Sequence, residues 1–145
     1  MSLVSHDANQ PESQPGVLVT DHVNVHKQRT GFRRLWHAGI YSVQGLQAAW
    51  HEKAFRLEAC LAIVLLPAAL WLGQSWLEIV ALMGCVVLVL VVELLNSAIE
   101  TTVDRIGLEW HALAKKAKDL GSAAVLLALL LCVGTWAAAI VVRWW

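Results

Sequence analysis

Five polar side chains break an otherwise apolar stretch near the middle of this chain: Glu93, Asn96, Ser97, Glu100 and Asp104. The stretch has no Gly or Pro from Glu93 until Gly107, so it can continue as one helix. At about 100° per residue, all five side chains fall within an arc of roughly 100°, one polar stripe on one helix. An ionised residue at mid-bilayer costs on the order of 3 kcal/mol. Two glutamates seven residues apart, facing the same way as an asparagine, suit metal and phosphate chemistry, because Mg²⁺ favours carboxylate oxygen and bridges one or two carboxylates to substrate phosphates. The plainer alternative is helix–helix glue, with Asn96 and Ser97 bonding across an interface and Glu93 and Glu100 paired to lysines of residues 115–118.

The elements that position this stripe are membrane spans. Of 145 residues, 58% are apolar and 15% charged, and the mean hydropathy is +0.59, which is too apolar for an ordinary soluble domain. The 11 Lys+Arg balance 11 Asp+Glu, which argues against a nucleic-acid partner. The length excludes a large multidomain enzyme. Ala123 to Val142 is an unbroken uncharged run, about 30 Å of helix and one hydrocarbon thickness. Ala59–Gly73 and Leu77–Val92 are two further apolar segments, joined by a link too short for anything but an antiparallel hairpin. The expected spans are 55–73, 77–104 and 119–143, an all-α membrane protein. Phe32, Leu35, Trp36, Ile40, Val43, Leu46 and Trp50 recur at roughly helical spacing, so 33–51 reads as an amphipathic helix lying on the bilayer surface. Residues 1–29 read as a disordered tail and 30–145 as the membrane domain.

Ten of the eleven cations precede the first span or lie between the second and third, and only Arg143 falls on the other side. The positive-inside rule puts the N-terminus and the 105–118 segment in the cytoplasm and the C-terminus outside. Trp71, Trp76, Trp144 and Trp145 read as belt residues on the outer side. If the second span enters hydrocarbon at Leu77, Glu93 lies about 24 Å along it and Glu100 about 35 Å, against a core about 30 Å thick. Glu93 is then just inside the cytoplasmic boundary, and Glu100 and Asp104 lie beyond it. Three helices alone give such a stripe little shelter, which implies a homo-oligomer.

Other candidates sit at the same depth. Glu52, where the surface helix turns into the first span, could supply a second metal ligand, although alone it reads as a solvated interfacial acid. Lys118 could contact phosphate, with Asp119 beside it. The plainer reading is that Asp119 caps the third helix and Lys118 snorkels. Gly121, Ser122, Ala123 and Ala124 are small enough for close packing. No Walker-type loop ending Gly-Lys-Ser/Thr and no dinucleotide-binding glycine triplet occurs, so any nucleotide is held in some other way. Cys60, Cys85 and Cys132 each lie in an apolar run and read as inert.

The run Glu93-Leu94-Leu95-Asn96-Ser97-Ala98-Ile99-Glu100, then Val103-Asp104-Arg105, then Ala117-Lys118-Asp119-Leu120-Gly121-Ser122-Ala123-Ala124-Val125 closely resembles the signature of the prokaryotic integral-membrane diacylglycerol kinases. Thr30-Gly31-Phe32, Gly45–Trp50 and Glu52–Glu58 are similar to the same family, so the resemblance runs from about Thr30 to the C-terminus. It implies a homotrimeric inner-membrane enzyme that moves the γ-phosphoryl group of MgATP onto the hydroxyl of diacylglycerol, giving phosphatidic acid, with active sites between protomers. By resemblance Glu93 is the general base, and Glu52 and Glu100 hold Mg²⁺. Asn96, Lys118 and Asp119 shape the site. Tyr41 and His111 lie near the nucleotide, and Arg34, Glu58 and Ser122 near the lipid.

The nearest rival is undecaprenol kinase, which shares the fold and the glutamate–asparagine–glutamate core. A cation pore or structural membrane protein is a third reading. It would align acids through the full bilayer, whereas here they cluster at one face.

Overall fold

The computed structural model describes residues 32–145; the tail expected over 1–29 lies outside the described residues. The described residues form four helices: α1 (Phe32–Ala49), α2 (Lys53–Leu72), α3 (Trp76–Ile106) and α4 (Ala112–Trp144). The last three are long and apolar enough to cross a membrane. Among the described residues there is no strand.

α2 runs through Pro67 without breaking, as membrane helices tolerate where neighbouring groups satisfy the freed backbone. The α2–α3 hairpin is tighter than its sequence suggests. Gly73 follows α2 directly, and a Cβ there would lie 2.5 Å from Ile79 Cγ1 and 3.1 Å from the Ala69 carbonyl oxygen, so only glycine lets the chain turn so close to its own helix. Ser75 caps α3 by accepting from the Glu78 backbone N–H at 3.2 Å, and Glu78 Oε2 reaches back to accept from the Gln74 N–H at 2.8 Å. The single charge in that apolar run thus serves the helix start, in the manner of a capping box.

The largest departure from expectation is at α4. The expected third span begins near Asp119, with 105–118 as a loop before it. In the structure α4 starts at Ala112, because Ala112–Leu120 holds strong helix formers with no Gly or Pro to stop them. The connection shrinks to a few residues after Gly107. His111 is the N-cap, its Nδ1 accepting from the Leu113 N–H at 3.2 Å. Asp119 therefore caps nothing; it lies two turns inside the helix.

α3 is the central helix and packs against both α2 and α4. Its buried residues are Leu82, Cys85, Val86, Val89, Glu93 and Asn96, which fall on one helical face. The facing positions are mostly small: Ala62 and Ala69 of α2, and Gly121, Ala128, Cys132 and Ala139 of α4. In a bilayer, where hydrophobic transfer does not drive helices together, such residues let backbones approach and gain packing contact. Trp136 packs against both apolar clusters. Cys85 and Cys132 are buried at the α3–α4 contact with their sulfurs 3.5 Å apart, core residues as expected; Cys60 is exposed.

Candidate functional site

The buried face of α3 does not stop where the apolar residues do. Four residues past Val89 it presents Glu93, only 4% exposed, and three further on Asn96, 9% exposed. Continuing the same step reaches Glu100, which is half-buried. Asn96 Nδ2 donates to Glu100 Oε1 at 3.1 Å, one turn away. A helix of 31 residues is about 46 Å long, about half as long again as the hydrocarbon core, long enough for one end to project past the apolar layer; Glu100 and Asp104 lie at one end. Trp71, Trp76, Trp144 and Trp145 sit exposed at the opposite end, with the Trp71 and Trp144 rings 6.2 Å apart.

Other helices bring acids to the same place. Glu93 lies within electrostatic reach of both Glu52 and Glu100, and Glu58 of α2 lies within reach of Glu93. Glu52 is the N-cap residue of α2, its side chain exposed and making no capping bond. Glu58 Oε2 is buried and unpartnered, as is Asn96 Oδ1. Between α1 and α3 runs a groove of about 740 Å³, lined among others by Ala49, Glu52, Leu94, Ser97 and Thr101, so it has apolar walls with an acid at one edge. Among the described residues no group of three or more His, Cys, Asp and Glu side chains could by itself cage a metal ion.

The lysines do not neutralise this cluster. Lys118 Nζ pairs with Asp104 at 2.6 Å, tying α4 to the projecting end of α3. Lys115 pairs with Asp119 at 2.6 Å. The lysine half of the glue reading is thereby corrected: Lys115 and Lys118 pair with other acids, and Glu93 has no cationic partner among the described residues.

The structure thus gathers Glu52, Glu58, Glu93, Asn96 and Glu100 at one end of the bundle. Asp119 and Ser122 lie exposed on α4, Tyr41 is exposed on α1 with its ring 6.3 Å from that of His37, and His111 serves as a helix cap. The Arg34 side chain lies outside the described residues. Two contributors went unassigned in the sequence reading. Asp104 was placed in the polar stripe without its partner Lys118, 14 residues away, which only the α3–α4 hairpin brings near. Gly121 was read as one small residue of several.

A bundle of three apolar helices, with acids collected at one end of its central helix and a groove beside them, defines an integral-membrane protein. The chain belongs to the prokaryotic diacylglycerol kinase family, whose sequence profile matches residues 40–140. It is 50% identical over 108 residues to the diacylglycerol kinase of Escherichia coli strain K12, covering 74% of this chain and 88% of that one. It is 50% identical over 101 residues to the diacylglycerol kinase of Haemophilus influenzae, covering 69% and 86%. Over 112 residues it is 48% identical to that of Pseudomonas aeruginosa, covering 77% and 91%. The chain is accordingly a lipid kinase of this family.

Proposed function

We propose that this chain transfers the γ-phosphoryl group of MgATP to the free hydroxyl of diacylglycerol, yielding phosphatidic acid and ADP, at the cytoplasmic face of a bacterial inner membrane. The observation that carries the residue assignment is Glu93, a nearly fully buried carboxylate with no cation beside it at the edge of the apolar layer. A lipid hydroxyl floats at this depth. Glu93 accepts the hydroxyl proton as the new O–P bond forms and the bond from the γ-phosphorus to the β-bridging oxygen breaks, the leaving electron pair remaining on ADP. A general base within hydrogen-bond reach contributes about 10²–10⁴-fold, and the remaining catalysis is positioning and charge neutralisation.

Glu100 and Glu52 would hold the nucleotide's Mg²⁺, which neutralises phosphate charge when bound. The donor set fits: two carboxylates without cationic partners among the described residues, too few to cage a metal alone, matching an ion that takes its remaining ligands from phosphates and water. Lys118, with Asp119 beside it, would reach the phosphates, and Tyr41 and His111 the nucleotide. Arg34, Glu58 and Ser122 would line the lipid side, with α1 lying along the bilayer surface. The exposure of Asp119, Ser122 and Tyr41 in one protomer supports a homotrimer in which neighbouring copies complete each site.

The test is phosphate transfer from labelled ATP by purified protein in mixed micelles offering diacylglycerol and undecaprenol together, for the parent and Glu93→Gln. Transfer to diacylglycerol that is lost in the variant is the expected result. Preference for undecaprenol would change the acceptor and keep the mechanism; full activity in Glu93→Gln would remove Glu93 as the base.

A further inference from the structure

α4 presses on the site-bearing face of α3 at Gly121, which is buried. A Cβ built on Gly121 would overlap Asn96 Oδ1, and would lie 3.4 Å from Asn96 Cγ and 3.8 Å from its Cα. The two other glycines inside these helices differ: a Cβ on Gly84 or Gly134 would meet nothing within 4 Å. The orientation of the Asn96 amide follows from its partner. A carboxylate can only accept, so the NH₂ must face Glu100, and the carbonyl oxygen is left pointing at α4. That oxygen is buried without a hydrogen-bond partner, an arrangement that costs stability and leaves no slack between the amide and the facing helix.

We infer that Gly121 is a positioning residue for phosphoryl transfer: its missing side chain makes the space in which the Asn96 amide lies with its NH₂ turned to Glu100, and so aims the Glu100 carboxylate. The inference rests on the reading of Glu100 as a ligand of the nucleotide's divalent cation. A methyl at residue 121 collides with the end of a side chain and not with backbone, so α3 and α4 can keep their packing while the amide swings away. The swing breaks the Asn96–Glu100 bond and frees a half-buried carboxylate to move. A displacement of about 1 Å in a positioned group can cost on the order of 10²-fold in rate.

The experiment uses the full chain in detergent and measures turnover against Mg²⁺ concentration, with unfolding temperature alongside, for Gly121→Ala, Asn96→Ala, the double variant and Glu100→Gln. The bond lost is one to a charged group, so Gly121→Ala should raise the Mg²⁺ requirement about tenfold or more, with little change in unfolding temperature. In the Asn96→Ala background the shortened side chain leaves room for the methyl, so the same substitution should add less than about twofold. An equal effect in both backgrounds, or an unchanged Mg²⁺ response, overturns the inference. If Gly121→Ala does not fold, the double variant decides. A folded double variant matching Asn96→Ala supports the positioning role, and an unfolded one makes Gly121 a packing requirement only. If Glu100→Gln leaves the Mg²⁺ response unchanged, the cation reading itself falls and this inference with it; if Glu100→Gln and Asn96→Ala change the response and Gly121→Ala does not, only the positioning role is lost.

Discussion

Two halves of the same face of α3 can be set side by side. From Leu82 to Val89 the face is apolar, Leu82 packing with Ala69, Leu72 and Ala139 and Cys85, Val86 and Val89 with Ala62, Ala128 and Cys132; from Glu93 to Glu100 it is polar and meets Gly121. The helical step is the same throughout, and Glu93 and Asn96 are buried much as Cys85 and Val89 are. The backbone does nothing special at the site. What changes is which side chains occupy positions that the packing of α3 on α4 would bury in any case. The first half is held by contact, whereas the second carries buried polar atoms that weaken the fold locally, the expected pattern where function overrides core-building.

The sharpest way to break this comparison is Glu93→Gln. The amide keeps the shape and removes the charge, so the protein should remain folded and still bind nucleotide while turnover falls on the order of 10³-fold. Size-exclusion chromatography and nucleotide-binding measurements distinguish this from collapse. If the variant unfolds, Glu93 belongs with Leu82 as a structural residue and the contrast between the two halves disappears.

Most of the fold was legible in the residues. Three apolar runs, one of them of full bilayer length, a short link and a polar stripe at helical spacing dictate three helices with acids at one end. The start of α4 is not legible, because charged residues mark the end of an apolar span, whereas helix formation follows backbone propensity and continues past them. The sequence could place Glu93, Asn96 and Glu100 on one face, since that needs only their spacing. It could not pair Lys118 with Asp104, or set Gly121 against Asn96, because those contacts depend on how far α4 slides along α3.

Lys118→Met probes the edge of the polar half. If Lys118 neutralises phosphate, as proposed, loss of this single donor should lower turnover on the order of 10²-fold with little change in stability, read as kcat for the folded variant. A variant that unfolds with its residual kcat intact would assign Lys118 to the packing of α4 alone.

Leu82→Ala makes the converse cut in the apolar half. Leu82 is fully buried, and in a bilayer the cost is the cavity and lost contact more than hydrophobic transfer. A destabilisation of about 2 kcal/mol is expected, measured by thermal unfolding in detergent, with kcat at low temperature close to that of the parent. A drop in kcat without a drop in stability would mean that the apolar half transmits strain to the acids, and the two halves would not be separable.

The smallest effect belongs to Asp104→Asn. The Lys118–Asp104 pair is short at 2.6 Å, but its side chains are 39% and 49% exposed, and an ion pair so open to solvent is worth at most about 1 kcal/mol. Removing the acid should therefore cost less than that in stability. It also separates two roles for its partner. If Lys118 serves the phosphates, freeing it from Asp104 should leave kcat within about threefold of the parent, far from the loss in Lys118→Met. If Lys118 serves only to brace α4 against α3, the two substitutions break the same bond and should do equal harm, so the ratio of their kcat values decides whether the polar half extends onto α4.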